Sequence, residues 1–317
     1  MTQAFLCRGQ GDDMRYLVAG SSGMIGRPLV RYLADAGHEV RCLVRSGNMS
    51  LGEENRITDT ISWNPEAGEI PSDAVEWADA MISLNGTSLS ALPWTSARRR
   101  AIMASRVQST SVLAQAIADS RNPPDVWVSG SAAGFYGSRP GEILDEDSVR
   151  GKGFLADTVT AWEAATSAAH KRSRVVCART GIVLGQGGAL IPIIRLTRLF
   201  LGGTIGPGTQ YWPWISLGDE VRALAHLAQS ELEGPVNLVG PVFASARDIT
   251  RLVAKALGRP HALVVPSWVL RFALGDAAKD LLLADQRVVC ARLSSDEAFE
   301  FRHPTAEGAV AAVFKEF

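Results

Sequence analysis

The stretch that decides the fold runs from residue 19 to residue 26 and reads AGSSGMIG. It lies between a short apolar run, Tyr16-Leu17-Val18, and a helical pattern that begins at Arg27. A strand, a glycine-rich turn and a helix in this order form a seat for a dinucleotide. The first glycine permits the tight turn, the second lets backbone N–H groups approach a pyrophosphate, and the third lets the helix pack against the strand. The residues expected to contact the cofactor here are Gly20, Ser22, Gly23, Met24, Ile25 and Gly26.

Beyond this turn, predicted strands and helices alternate, and this pattern makes a glycine-rich loop without a ligand the weaker interpretation. Strands are predicted over 16–19, 39–44, 61–63 (an edge strand), 80–84, 126–129 and 174–178, and helices over 27–36, 95–119 and about 154–171. Such alternation favours parallel pairing with right-handed crossovers. The sequence therefore predicts an α/β fold with a doubly wound parallel sheet. Glycine and proline become frequent after Gly181, which predicts a smaller, less regular lobe.

Composition excludes several classes of protein. The 317 residues carry 32 Lys+Arg and 33 Asp+Glu, a formal charge of −1, and no segment is basic and aromatic enough to predict nucleic-acid binding. No apolar run approaches the roughly 18 residues that span a bilayer. The five histidines lack metal-ligand spacing, so no metal is expected. The four cysteines, Cys7, Cys42, Cys177 and Cys290, mostly lie in apolar segments and predict buried thiols in a reducing, cytoplasmic compartment.

The end of the second strand distinguishes between the two nicotinamide cofactors. An NAD site usually has Asp or Glu there to bind the ribose 2′-hydroxyl, whereas an NADP site has a cation for the 2′-phosphate. Here Arg45 is followed by Ser46, and no acid occurs until Glu53. Because an arginine binds a phosphate with paired, charge-assisted hydrogen bonds, the sequence favours NADP(H). The alternative is that Arg45 is an ordinary charge at a strand end.

The chain resembles the extended short-chain dehydrogenase/reductases, of which the GxxGxxG spacing is typical, and more closely their "epimerase family", sometimes labelled an inhibitor of cell division. The matching stretches are ISWNP at 61–65, LNG at 84–86 with Trp94, SRV at 105–107 with Thr110, 129–137, 153–155, 162–165, 179–184, 187–189, 202–203, Gln210 with 214–215, 218–219 and 286–288. The resemblance implies the superfamily's Rossmann fold, NADP(H) binding and a C-terminal lobe typical of the subfamily. It also implies that Arg179, Thr180 and Gly181 lie beside the nicotinamide. It implies no substrate, because the family's reaction is largely unassigned.

Domain limits follow from this comparison. We expect residues 14–182 to form the NADP-binding Rossmann domain, with segments near 215–240 returning to it, and residues 183–317 to form mainly the substrate lobe. Residues 1–13 lack periodicity and are expected to be a disordered extension, or else Met14 is the true start. A homodimer is compatible with the sequence.

The catalytic pattern departs from the superfamily. Active members use Tyr-x-x-x-Lys with a serine, and the lysine lowers the tyrosine pKa for proton exchange with a substrate hydroxyl. Four positions after Tyr16, Tyr32, Tyr136 and Tyr211 come Gly20, Ala36, Pro140 and Ile215, so no such pair exists. Counting back from Glu163, which is similar to the acid that follows the motif, puts Leu155 and Val159 where the pair belongs. Two apolar side chains cannot transfer a proton.

Other candidates lie where strands end, since ligands bind at the carboxyl edge of such sheets. Ser131 is a candidate for binding a substrate oxygen, with closure of the turn as the alternative and Ser129 as its replacement under another register. Tyr136 is a candidate substitute acid, although without a cation its pKa should stay near 10. Leu84, Asn85 and Gly86 are expected near the adenosine and ribose, unless they form a plain turn. Gln210 and Trp214 are candidate walls of the substrate lobe, or else its core, and Asp219 is expected to cap the next helix.

Two hypotheses of function follow. The first is an NADP(H)-dependent oxidoreductase or epimerase acting on a small hydroxylated or carbonyl substrate, with Ser131 and an unidentified acid. The second is a non-catalytic NADP(H)-dependent binding or regulatory protein, linked to cell division as the family label suggests. The intact cofactor edge is required by both, whereas the missing Tyr/Lys pair favours the second.

Overall fold

A central sheet of seven parallel strands organises the fold in a computed structural model, which describes residues 13–45, 59–90 and 92–315. Its strands are β1 (Arg15–Ala19), β2 (Glu39–Arg45), β3 (Asp59–Trp63), β4 (Ala80–Ser83), β5 (Val126–Ala132), β7 (Arg174–Thr180) and β12 (Gly234–Leu238). They are ordered β12-β7-β5-β4-β1-β2-β3, with β3 at one edge as predicted. The order changes direction beside β1, and ligands bind at such a switch point, outside the carboxyl ends of the strands. The predicted fold class is confirmed.

Helices cover both faces of the sheet and bury its apolar strands. The helices of the described chain, including those outside the sheet faces, are α1 (Gly26–Asp35), α2 (Ser72–Trp77), α3 (Ser96–Asp119), α4 (Phe154–Ala164), α5 (Leu190–Arg198), α6 (Leu217–Gln229), α7 (Ala246–Ala256), α8 (Ser267–Leu274), α9 (Ala291–Ser294) and α10 (Ala306–Lys315). On one face, α1 and α6 contribute Leu33 and Leu224 to a core with Val18. On the other, α2 and α3 contribute Val75 and Ile117 to a second core. The glycine-rich turn between β1 and α1 is thereby fixed on both sides.

The remaining strands are short and lie outside the central sheet, and most of them follow β7 in the chain. These strands are β6 (Ile143–Leu144), β8 (Ile182–Leu184), β9 (Gly203–Ile205), β10 (Tyr211–Trp212), β11 (Trp214–Ser216), β13 (Ala244–Ser245), β14 (Leu263–Val265) and β15 (Arg287–Val288), of which β6 precedes β7 in the chain. Helices α5, α7 and α10 pack around Trp212 and Trp214. The chain returns to the central sheet at β12, which pairs with β7. The predicted domain limits at residues 182 and 183 stay a prediction.

Several local predictions can be compared with these elements. Helix α3 follows its N-cap Thr95, whose side chain accepts from the Arg98 amide. Gly37, which directly follows the helix predicted over 27–36, has a positive φ of 95°. The helix predicted to reach residue 171 instead ends at Ala164, and a separate 3₁₀ turn covers Ser167–Ala169. There the Thr166 hydroxyl donates to the Glu163 carbonyl, competing with helical backbone bonding. The predictions for residues 1–12, including Cys7, lie outside the described residues.

Candidate functional site

The glycine-rich turn has the shape of a phosphate cradle. Gly20 has φ of +84°, and a Cβ atom there would lie 2.8 Å from the carbonyl carbon of Leu84. A Cβ at Gly26 would lie 2.1 Å from the Gly20 carbonyl oxygen, so the helix approaches the strand as closely as glycine alone allows. Ser22 and Gly23 are exposed at the mouth, and Met24 and Ile25 are half-buried behind them. The exposed backbone at the start of α1 can therefore receive a pyrophosphate.

The neighbouring loop after β4 forms the other side of this cleft. Leu84 is tied to β1 by a 2.8 Å hydrogen bond from its amide to the Ala19 carbonyl. The side-chain oxygen of Asn85 is buried, and no donor among the described residues reaches it. A buried acceptor without a partner is costly. A ribose hydroxyl or a carboxamide of a bound dinucleotide would supply the missing donor.

Arg45, on which the prediction of NADP(H) rests, lies at the end of β2. Arg45 is the last residue of β2, is exposed, and pairs in register with Trp63 of β3. Ser46 and Glu53 lie outside the described residues. The position of Arg45 at the carboxyl edge, next to β1, fits a residue that binds the adenosine ribose or its phosphate.

Ser131 belongs to a buried polar network. Its hydroxyl donates to Glu163 Oε1 at 2.6 Å, and both Glu163 oxygens accept from Arg179, each at 2.8 Å. The Arg179 guanidinium also lies 3.6 Å from the ring centre of Phe135. Ser131 is 5% exposed and Arg179 is 4% exposed. These contacts engage the Arg179 side chain, and the expected position of Arg179 beside the nicotinamide stays a prediction. Ser131 retains hydroxyl lone pairs, but its proton is directed to Glu163.

We expect Glu163→Ala to lower the free energy of unfolding by about 3 kcal/mol, because the buried Arg179 guanidinium would lose its counter-charge. Urea unfolding at neutral pH measures the effect. Glu142→Ala is the control, since Glu142 is exposed and pairs with Arg139 at the surface. A loss for Glu163→Ala no larger than that of the control would show that the network does not stabilise the fold.

Tyr136 is a structural residue and not a substitute acid. It is completely buried, donating to Asn237 Oδ1 at 2.7 Å and accepting from Arg179 at 3.0 Å. Burial raises the pKa of Tyr136, although the Arg179 charge opposes this shift. Ser129 is also buried, and its hydroxyl makes a 3.4 Å contact with the Gly130 carbonyl. Neither side chain reaches the surface of the cleft.

Leu155 and Val159 lie on α4 and face the turn after β5. A Cβ built on Gly134 would lie 3.2 Å from Leu155 Cβ and 3.8 Å from Val159 Cγ2. Leu155 also packs with Trp94 and Phe154 in a small apolar cluster. The two positions assigned to the missing Tyr/Lys pair therefore lie together beside the Ser131 strand, and both are apolar.

A carboxyl group that the sequence analysis did not predict, that of Glu220, lies next to Thr180 at the end of β7. The Thr180 hydroxyl donates to Glu220 Oε1 at 2.7 Å, whereas Glu220 Oε2 has no partner among the described atoms. Complete burial raises the pKa of Glu220 to about 8. Sequence reasoning missed this residue. Its spacing was the available signal, because Glu220, Leu224 and Leu227 recur at the helical period of a buried face. Gly181 is needed for close packing, since a Cβ there would lie 2.5 Å from the Pro213 carbonyl oxygen.

Gln210 and Trp214 form the core of the lobe and not its wall. The Gln210 amide donates to the Ile205 and Leu282 carbonyls at 3.0 and 2.9 Å. The Trp214 indole donates to the Val242 carbonyl at 3.0 Å, and its ring lies against Gly240. Both side chains are buried, which agrees with the alternative that they belong to the core of the lobe.

Asp219 differs from its predicted role. Ser216 is the N-cap of α6, while the Asp219 carboxylate accepts from the Arg302 and His303 amides at 2.8 and 2.9 Å. Asp219 therefore ties a C-terminal segment to the start of the helix.

Two further features bear on the expected functions. Within residues 13–45, 59–90 and 92–315, no group of three or more potential metal-ligating side chains is found. None of the described helices combines the length and apolar character that crossing a bilayer requires.

A Rossmann sheet with a glycine cradle at its switch point defines an NAD(P)-binding protein. Comparison with known proteins makes this specific. The profile of the NAD-dependent epimerase/dehydratase family matches residues 16–240, and that of a domain of unknown function (DUF1731) matches residues 265–313. The chain belongs to the NAD-dependent epimerase/dehydratase family, which confirms the resemblance inferred from its sequence.

The similarity to individual relatives extends over most of the chain. It is 38% identical to epimerase family protein Mb2239 of Mycobacterium bovis over 291 residues, covering 91% of this chain and 93% of the relative. It is 33% identical to the human epimerase family protein SDR39U1 over 281 residues, covering 87% and 92%. The crystal structure of human SDR39U1 with NADPH superposes with a TM-score of 0.85 at 30% identity, over 96% of this chain and all of that one. The chain is thus an NAD(P)-binding epimerase-family protein of the SDR39U1 type.

Proposed function

We propose that this protein is an NADP(H)-dependent oxidoreductase or epimerase that acts on a small hydroxylated or carbonyl substrate without a Tyr/Lys pair. The cradle carries the proposal: Gly20 and Gly26 permit the close approach, and the adjacent Asn85 oxygen lacks a donor within the described chain. The solved complex of human SDR39U1 with NADPH supports it. When bound, the nicotinamide supplies hydride chemistry.

The protein's own residues have separate tasks in this proposal. The start of α1 binds the pyrophosphate, and Arg45 binds the 2′-phosphate. Thr180 and Gly181 shape the carboxyl edge at the end of β7, while Leu155 and Val159 exclude water from the reacting centre. Ser131 offers a lone pair to a substrate hydroxyl, because Glu163 already takes its proton. Free, buried thiols at Cys42, Cys177 and Cys290 support a reducing, cytoplasmic setting.

A second candidate function is non-catalytic NADP(H)-dependent binding or regulation, with a link to cell division. The observation that favours it is the apolar pair on α4, together with the burial of Tyr136. Both functions require the cofactor, so measured turnover distinguishes them.

Preference for NADP(H) is the first test. We expect wild-type protein to bind NADPH about 10- to 100-fold more tightly than NADH, the range given by hydrogen bonds between charged groups. Arg45→Asp should reverse the order, since attraction for the 2′-phosphate becomes repulsion. Calorimetric titration measures both affinities. Arg251→Asp, an equal charge change at an exposed position of α7, should leave the preference intact. Equal affinities of the unaltered protein for NADPH and NADH would contradict the assignment.

A further inference from the structure

We infer that Arg106 binds an anionic group of the substrate, a carboxylate or a phosphate, in place of the missing lysine charge. This inference deepens the proposed function and rests on it. Arg106 lies in the middle of α3, and its side chain reaches the loop that follows β4. That loop forms one side of the cofactor cleft.

Close contacts fix the guanidinium beneath this loop. Its Nη1 atom donates to the Thr87 and Ile102 carbonyls at 3.1 and 3.0 Å. A Cβ built on Gly86 would lie 2.9 Å from Arg106 Cζ and 3.2 Å from each Nη atom. Gly86 itself is exposed. The guanidinium therefore occupies space at the cleft that a larger residue at position 86 would take.

The same guanidinium lies near the position that lost its lysine. Its Cζ atom is 5.2 Å from the centre of the Trp162 ring. Trp162 follows Val159 by three residues on α4, and residues at this spacing share one side of a helix. Arg106 thus brings a positive charge from α3 to the Trp162 side chain of α4, and Trp162 lies about one helical turn along α4 from Val159. The sequence shows the loss at position 159, but the replacement comes from another helix.

The Arg106 guanidinium has no acidic partner among the described residues, and a bound anion would balance its charge. Arg15 and Arg179, in comparison, pair with Asp79 and Glu163. Arg106 makes no ion pair with a described acid, and neither its Nε nor its Nη2 donates to another described residue. Burial, together with the neighbouring positive charge of Arg98, lowers the pKa of Arg106 to about 10. An uncompensated buried charge is costly, and such groups concentrate at functional sites.

The free donors determine the chemistry of the ligand. A guanidinium presents its N–H groups in a planar fork that matches the two oxygens of a carboxylate or phosphate. With Nη1 held by backbone carbonyls, Nε and Nη2 form the remaining edge of the fork. Arg98, whose side chain donates to the Ser88 carbonyl on the same loop, adds to the positive potential. The site is therefore suited to an anion and not to a neutral sugar or alkane.

Malonate and inorganic phosphate are the probes that test this site. Each is titrated by calorimetry into protein saturated with NADPH, at constant ionic strength. We expect at least one to bind, and the stronger one identifies the anion class. Arg106→Gln should weaken its binding by about 10- to 100-fold. Arg106→Lys should give an intermediate loss, because the charge stays but the fork is removed. Gly86→Ala should also weaken binding by displacing the guanidinium.

The control is Arg121→Gln, which removes a positive charge at an exposed position beyond the end of α3. It should bind the anion as the wild type does. The inference is overturned if neither anion binds to the NADPH complex, or if Arg106→Gln binds the anion as tightly as the wild type does. Titration of NADPH into the same proteins separates the two proposals. Failure of the wild type to bind NADPH would defeat the proposed function, whereas NADPH binding without anion binding would defeat only the inference about Arg106.

Discussion

Glu220→Gln is expected to remove a pH dependence of stability that amounts to about 5 kcal/mol in the unaltered protein. Glu220 is completely buried in α6, and its pKa is raised from 4.5 to about 8. Below pH 4.5 the carboxyl is protonated in both the folded and the unfolded state, so it carries no penalty. Between pH 4.5 and 8 the unfolded chain ionises while the folded protein holds its proton. The free energy of unfolding therefore falls as the pH rises through this window, and the Glu220 contribution levels off above it.

Urea unfolding at pH 5, 6, 7 and 8 measures this profile. Glutamine has the shape of a protonated carboxyl and no charge to lose, so the variant should be less sensitive to pH over this range. Thr180 can exchange the direction of its hydrogen bond to match the new amide. Glu297→Gln is the control, since Glu297 is exposed and its replacement should leave the wild-type slope. Parallel profiles for wild type and Glu220→Gln would show that Glu220 ionises normally in the folded protein.

The cofactor cradle could be predicted from sequence because its physics is local. Gly20 and Gly26 act through backbone shape over seven residues, and the structure shows the same close approach that the spacing predicts. Helix α3 could also be predicted from the sequence, because Thr95 and the helix it caps are neighbours in the chain. The seven-stranded sheet follows from alternation of strands and helices, which limits the available topologies.

The interior of the site could not be predicted in this way, because its chemistry depends on partners far apart in sequence. Tyr136 was a candidate acid from the sequence, but in the structure its hydroxyl donates a hydrogen bond to Asn237, 101 residues away. Trp214 and Gln210 were candidates for a wall of the substrate lobe, but the Trp214 indole N–H and the Gln210 side-chain NH₂ group donate to the carbonyls of Val242 and Leu282. Arg106 gave no signal as a site residue, since its relation to Gly86 and Trp162 exists only after α3 packs against α4. Sequence reasoning identified what was missing from α4 and could not identify what replaces it.

The buried polar groups near the carboxyl edge are of two kinds: some satisfy one another, and others lack a partner among the described residues. Glu163 and Arg179 satisfy one another and fix Ser131, so this pair needs no ligand to be stable. Asn85, Arg106 and Glu220 each retain an unsatisfied atom or an uncompensated charge among the described residues. All three lie on segments that border the carboxyl ends of β4 and β7. A bound ligand would complete the hydrogen bonding of the unsatisfied groups at this edge.

Turnover by the ordinary Tyr/Lys route is expected to be very slow. A panel of sugar nucleotides, simple ketones and secondary alcohols, followed by NADPH absorbance, should react about 10²- to 10⁴-fold more slowly than typical enzymes, which turn over on the order of 10 times per second. The reason is that Leu155 and Val159 cannot exchange a proton with a substrate oxygen. Binding substrate next to the cofactor can still give a residual rate.

Introducing a Tyr/Lys pair at positions 155 and 159 tests whether the missing pair is the reason for the slow turnover. We expect Leu155→Tyr with Val159→Lys to raise the residual rate by at least about tenfold, since a positioned acid with a neighbouring cation supplies part of the missing catalysis. Leu155→Phe with Val159→Lys is the matched control, with a similar ring and the same charge but no hydroxyl. If the Phe variant gains as much as the Tyr variant, the gain does not come from proton transfer. If the unaltered protein turns over a panel substrate at about 10 per second, an acid outside α4 carries the reaction.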